Sequence, residues 1–213
     1  MAFKYSCFIS YRHGQSQLAE RIVNDLSTAL ANELELYMGP EVYVDRERLK
    51  GGDLYNKELA RALCQSICMI MVFTPSYFDL HNTFCAREFK AMEKLEEERE
   101  RRTGKRVGLI IPIVFRGADS LPSEIKAHRH YYDFGDFLLC DTEISKHPNY
   151  ARKIKEIAKT IFDIYQIFSR LSEDPCSGCD DFVLPAESEV AQWLSAICTP
   201  VLPLPSRRIL PLG

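Results

Sequence analysis

Apolar and polar positions along the chain alternate between two patterns, short continuous apolar runs and longer stripes at helical spacing. Residues 3–11 are apolar and β-prone, then break at Arg12-His13-Gly14. Leu18, Ile22, Leu26 and Leu30 follow at four-residue spacing, which predicts an amphipathic helix. Met38-Gly39-Pro40 ends that stripe, and Val42-Tyr43-Val44 predicts a short strand. Residues 45–53 form a charged, glycine-bearing loop that must be exposed, and Tyr55, Leu59 and Leu63 mark one face of a second helix. The continuous apolar run 67–73 is the pattern of a strand buried on both faces.

After the breaker Thr74-Pro75-Ser76-Tyr77, the stretch Phe84-Cys85-Ala86-Arg87-Glu88 opens a helical pattern through Phe89, Met92 and Leu95. This predicts Glu88 in a first helical turn at the loop edge of the preceding sheet. Residues 93–102 are nearly all charged. Their Glu97/Arg101 and Glu98/Arg102 spacings predict a solvated extension ended by Gly104. A second buried-strand run covers 107–115, with Pro112 expected at a bulge or strand end. Residues 117–130 read as irregular, 131–134 as an edge-like strand, and Asn149-Tyr150 as the start of a long helix striped by Ile154, Ile157, Ile161, Tyr165 and Phe168.

Five strands alternating with helices predict an α/β fold, a doubly wound parallel sheet with helices on both faces. Ligands of such sheets bind outside the carboxyl ends of the strands. Strand order alone therefore gathers Ser10-Tyr11-Arg12, Asp45-Arg46 and the 74–88 segment on one rim. Helix N-termini at that rim offer N–H groups to phosphates.

Composition narrows the classes. The 213 residues suit one globular domain with an appendage, and a net charge of −3 demands neither nucleic acid nor an anionic membrane as partner. Residues 1–6 lack a basic region followed by a long apolar core, so no signal peptide is expected, and no apolar run is long enough to span a bilayer. Without an export signal, the eight cysteines read as reduced residues of a cytoplasmic protein rather than a disulfide framework, with Cys7, Cys64 and Cys68 as small core residues. Cys176-Ser177-Gly178-Cys179 with Cys198 supplies three thiols where a structural zinc site wants four ligands, so no metal is expected.

Phosphate-cradling and dinucleotide glycine fingerprints are absent, as are the zinc-protease, serine-hydrolase and deaminase patterns. Lys50-Gly51-Gly52-Asp53 taken alone reads as a turn, and the five histidines read as surface residues. Glu88 taken alone has an ordinary account as an acid offsetting a helix dipole, and Arg12 and Arg46 as solvated charges at loop ends.

Three segments in order add a resemblance. Phe8-Ile9-Ser10-Tyr11-Arg12 resembles the opening box of Toll/interleukin-1 receptor (TIR) domains. Val44-Asp45-Arg46 leading through Leu49-Lys50-Gly51-Gly52-Asp53 resembles their second box and its exposed BB loop. The run from Ile70 to Ser76-Tyr77-Phe78, followed by Phe84-Cys85-Ala86-Arg87-Glu88-Phe89, resembles the third strand and its glutamate-bearing helix. The resemblance spans residues 3 to about 170. It implies a flavodoxin-like five-stranded parallel sheet, a TIR domain over 1–171 and a C-terminal extension, 172–213, of unassigned role.

The resemblance also implies a choice of function. Members of the NAD⁺-cleaving branch break the nicotinamide–ribose bond, with the third-box glutamate, here Glu88, as the catalytic residue. Ser10, Tyr11, Arg12, Asp45, Arg46, Lys50, Gly51, Phe84 and Cys85 would contact the substrate. NAD⁺ is then a substrate, no cofactor is required, and the products are ADP-ribose or a cyclic ADP-ribose-type messenger of bacterial antiviral defence. Partners are a second copy of the chain, through TIR–TIR contacts, and a downstream effector reached by the diffusible product. Other members only assemble, which keeps a non-catalytic interaction or effector module as the alternative. Phe84 departs from the family's tryptophan and offers less area for stacking.

Overall fold

The computed structural model describes residues 3–14, 17–45, 53–139 and 144–198. Among these, five parallel strands, β1 (Tyr5–Tyr11), β2 (Glu41–Val44), β3 (Ser66–Phe73), β4 (Ile110–Val114) and β5 (Tyr132–Asp133), form one sheet in the order β2-β1-β3-β4-β5. The chain starts in the middle and switches direction beside β1, so β1 and β3 are central. All eight residues of β3 are buried, which is why that run shows no alternation.

Helices α1 (Gln17–Glu35) and α5 (Pro148–Phe168) pack together on one face. α2 (Asp53–Cys64) and α3 (Phe84–Thr103) pack together on the other. The long stripe of α5 buries Tyr150, Ile154, Ile157, Ile161 and Phe168 as its spacing predicts, with Tyr165 half-buried beside them. In α1 the stripe holds from Ile22 onward. Leu18 lies a turn too early and is 49% exposed.

Pro112 occupies the middle of β4 with no bulge, contrary to expectation, and the alternation of the ladder explains it. Leu109 C=O accepts from Met69 N–H and Phe115 N–H donates to Phe73 C=O, so odd-numbered residues of β4 face β3. The nitrogen of Pro112 therefore faces β5, which begins only opposite Ile113, and no ladder bond is forfeited.

The segment expected to be irregular, 117–130, contains a single 3₁₀ turn, Ala118–Ser120, and the short helix α4 (Ser123–His128), which buries Ile125. α3 ends at Gly104, whose left-handed φ of 65° lets its N–H reach Glu100 C=O at 2.8 Å.

The charged end of α3 is not wholly solvated. Arg99 is buried, donating from Nη1 to the carbonyls of Ser66 and Ile67, each at 3.1 Å, and from Nη2 to that of Cys64 at 2.7 Å. Its guanidinium also lies 5.0 Å from the Phe3 ring and 5.4 Å from the Phe168 ring. α3 runs under the sheet, so its last turns meet carbonyls left at the C-terminal end of α2 and the start of β3. A planar fork is the one side chain that satisfies several of these together.

Residues 172–198 pack back onto this layer. α6 (Glu187–Cys198) lies on α3, with Trp193 stacked on Phe89 at 5.5 Å and edge-on to Phe78 at 5.3 Å. Arg87 Nε donates to Pro185 C=O at 2.7 Å. Upstream, Cys179 is disulfide-bonded to Cys64 at the end of α2. This corrects the reading of Cys64 as a plain core thiol. The extension returns 115 residues later to lie beside it, a proximity that spacing could not reveal. With Cys179 in that bond, the three thiols considered for zinc are not jointly available.

Candidate functional site

The carboxyl ends of β1 and β3 and the start of α3 meet at one rim. Ser10 is the penultimate residue of β1, and its hydroxyl donates to Glu88 Oε2 at 2.5 Å. Ser10 Oγ also lies 2.6 Å from the Tyr77 hydroxyl in the turn after β3. A serine has one proton, so with that proton on Glu88 the tyrosine supplies the second bond. The result is a directed chain, Tyr77 to Ser10 to Glu88, from three separate elements. All three residues are buried.

Glu88 differs from expectation in one respect. α3 begins at Phe84, so Glu88 is its fifth residue, in the second turn, and the first turn holds no acid. The dipole account of Glu88 therefore loses its ground, because that effect falls off within the first turn. Glu88 has no solvent-accessible surface. A buried carboxyl is costly unless hydrogen-bonded, and Ser10 contributes to that.

The other sequence-derived candidates divide into three groups. Cys85 is buried, and its thiol donates to Tyr11 C=O at 3.4 Å, tying α3 to the end of β1. Phe84 is half-buried, with the Arg87 guanidinium 5.7 Å from its ring. Arg12 is turned to Asp79, Nη2 to Oδ2 at 2.9 Å, rather than left as a solvated charge. The backbone N–H of His81, and then the guanidinium of Arg12, hold the Asp79 carboxyl below its ordinary range.

Asp45 forms a neighbouring group. It is buried, accepts a hydrogen bond from Tyr55 of α2, and lies 4.0 Å from His13 Nε2. His13 in turn stacks on Tyr11, with ring centroids 4.0 Å apart. His13 is thus half-buried against the rim, not a surface histidine. Arg46, Lys50 and Gly51 lie outside the described residues.

Tyr77, Asp79, Tyr55 and His13 are rim residues that sequence reasoning did not single out for the site. Tyr77 stands in the quoted third box, but its hydroxyl acquires meaning only once the turn folds back over Ser10. Beside the rim, a cavity of about 160 Å³ runs between Tyr11, Arg12, Leu18, Ile22 and Arg116. It is too small for a dinucleotide. A larger cleft of about 680 Å³ lies elsewhere, between α3 and α4, and carries Glu93, Glu96, Arg106 and Arg129. Its charges are of both signs, and Arg129 already pairs with Glu93 and Glu96.

Fold and rim together define a doubly wound α/β protein with a buried carboxyl at the carboxyl edge of its sheet. A family model described as the TIR domain matches residues 7–143, and the chain belongs to that family. No curated protein matches the chain. Among solved structures it is similar to the TIR domains of the activated Roq1 resistosome directly recognizing the pathogen effector XopQ. That likeness has 19% identity, covers 83% of this chain and 95% of that chain, and has a TM-score of 0.41. Among the described residues no helix is long and apolar enough to cross a membrane.

Proposed function

We propose that this TIR domain cleaves NAD⁺ at the nicotinamide–ribose bond, with Glu88 as the catalytic carboxylate. The observation that carries the reading is the buried Glu88 at the carboxyl edge of the sheet, hydrogen-bonded through Ser10 to Tyr77. Open α/β sheets bind ligands at this edge.

One carboxylate suffices for the chemistry. Glycosidases need a second acid to protonate a poor leaving group. Nicotinamide leaves as a neutral molecule from a pyridinium, so its departure needs no proton. Positive charge then develops on the ribose, and a fixed carboxylate stabilises it in a site where water is excluded. Attack by water yields ADP-ribose. Attack by a nucleophile of the same molecule yields a cyclic product, favoured where the site stays dry.

Substrate entry requires the groups over Glu88 to move, since the carboxyl has no exposed surface. Self-association through TIR–TIR contacts is the event we assign to that opening. Arg12, close enough to the rim to meet a pyrophosphate, would exchange Asp79 for it. In this reading the protein works in the cytoplasm, in bacterial antiviral defence, through its nucleotide product.

The same burial supports a second reading, a TIR module that assembles without turnover and uses Glu88 only to join β1 to α3. Incubation of the concentrated or crowded protein with NAD⁺, followed by chromatography of nicotinamide and the nucleotide product, separates the two. Release of nicotinamide that disappears in Glu88→Gln supports catalysis. Turnover that persists in Glu88→Gln removes the catalytic assignment. No release under any assembly condition favours the module.

A further inference from the structure

The lower end of the molecule, away from Glu88, holds a second cluster of reactive groups. Cys64 closes α2 and is bonded to Cys179. The free thiol of Cys176 points at the same place, its Sγ 4.0 Å from the Cys64 carbonyl oxygen. That oxygen also accepts from Arg99 Nη2 at 2.7 Å, so thiol, disulfide and guanidinium converge on one residue. Arg99 is buried and forms no ion pair with a carboxylate among the described residues, and its Nε has no hydrogen-bond partner. The other described cysteines outside the disulfide, Cys7, Cys68 and Cys85, are fully buried.

We propose that Cys176, Cys179 and Cys64 form a thiol–disulfide exchange centre, in which Cys176 takes Cys179 from Cys64 and so unfastens the C-terminal extension from α2. The thiolate of Cys176 attacks Cys179 Sγ. A Cys176–Cys179 bond forms, the Cys64–Cys179 bond breaks, and Cys64 leaves as a thiolate that takes up the proton Cys176 gave to solvent. One disulfide is exchanged for another, so no oxidant or reductant is consumed.

The turn is built for the product. Cys179 N–H donates to Cys176 C=O at 3.1 Å, closing a four-residue turn whose third residue, Gly178, has a φ of 90°. First and last Cα atoms of such a turn lie within about 7 Å, a range that overlaps disulfide reach. Arg99 and, more weakly, Arg102 favour a thiolate, while Asp174 opposes it. Burial outweighs both arginines and pushes the Cys176 thiol up to about 11, so the centre is slow at neutral pH and quickens with base.

Exchange changes the mechanics of the extension. The covalent tie across 115 residues is lost, while the turn keeps its own short loop. Noncovalent contacts still hold the extension, among them Arg102 to Asp174 C=O, Arg87 to Pro185, Trp193 on Phe89, and the exposed pairs Arg61–Asp180 and Lys94–Glu189. α3, which carries Glu88, lies directly beneath.

The test uses the full chain purified without reductant, shifted to pH 9, quenched in acid, labelled with maleimide and digested with pepsin for disulfide mapping. We expect the Cys64–Cys179 peptide pair to decline as a Cys176–Cys179 peptide with labelled Cys64 appears. The rate should rise roughly tenfold per pH unit below the thiol pKa. Emission of Trp193, the single tryptophan, should shift to longer wavelength on the same time course. Cys176→Ser should retain only Cys64–Cys179 with unchanged emission. Cys64→Ser, treated with oxidised glutathione, should form Cys176–Cys179. The proposal is overturned if the wild type keeps Cys64–Cys179 with Cys176 labelled at every time, if a Cys64–Cys176 pair appears instead, or if Cys64→Ser leaves both turn thiols reduced.

Discussion

The Ser10 hydroxyl and the Glu88 carboxyl meet at 2.5 Å although 78 residues separate them, and this bond joins the end of the first strand to the helix after the third. Removing either side has a different consequence. Glu88→Gln keeps an acceptor of the same shape, so thermal unfolding should change little while nicotinamide release falls by roughly 10²-fold or more. Ser10→Ala strips a donor from a buried carboxyl and should cost about 1–3 kcal/mol in urea unfolding. Equal stability losses for the two variants would contradict this division.

Arg99 should be a stability residue despite its charge. Replacing it with methionine keeps the packing against Phe3 and Phe168 but leaves the carbonyls of Cys64, Ser66 and Ile67 without these bonds. The expected loss is about 3 kcal/mol or more in chemical denaturation. Arg99→Lys should recover only part of it, because an ammonium lacks the planar fork.

Alkaline pH should weaken the fold through its buried thiols. Cys7 and Cys68 are register partners on β1 and β3, and burial is the chief cause that raises both, Cys7 from 9.0 to about 12. A thiol whose folded pKa lies above its unfolded one keeps its proton longer in the native state. Its contribution is therefore complete below pH 9 and is lost as pH climbs toward 12, at up to about 1.4 kcal/mol per pH unit for each thiol. Tyr43 and Tyr150, also raised by burial, act in the same direction. The Cys7→Ala/Cys68→Ala double variant should flatten the decline measured by urea midpoints between pH 8.5 and 11, leaving the parts due to Cys176 and the tyrosines.

Trp193 should anchor the extension. Trp193→Ala removes the stack on Phe89, the edge contact with Phe78 and the Lys90 ammonium held 4.2 Å from its ring. The melting temperature should drop by several degrees, matching a loss of about 2 kcal/mol for a half-buried aromatic. Limited proteolysis should then cut within the extension before the sheet domain. Unchanged protease resistance would mean that the extension is held elsewhere.

Much of the fold was legible because its periodicities are strong. Unbroken apolar runs marked β3 and β4, stripes at three- and four-residue spacing marked α1 and α5, and Gly104 marked the end of α3. Departures came where tertiary context overruled a local rule. Arg99 looked solvated because its neighbours in sequence are charged, yet the face it occupies meets the backbone carbonyls of Cys64, Ser66 and Ile67. Pro112 looked like a strand end, yet the side of β4 that its nitrogen faces has no neighbour at that level. α4 was missed because it is a six-residue helix in a segment with little periodicity.

By itself the sequence determined the sheet class, the strand order needed to bring Ser10, Asp45 and Glu88 to one rim, and membership of the rim for Phe84 and Cys85. These follow from local periodicity and from the connection rules of parallel sheets, which act through adjacent segments. Tertiary structure alone decided that Tyr77 completes the chain to Glu88, that Arg12 rests on Asp79, that His13 and Tyr55 attend Asp45, and that Cys179 reaches Cys64. Each joins residues from different elements, and the direction of a side chain across such a gap depends on packing that no run of neighbouring residues encodes.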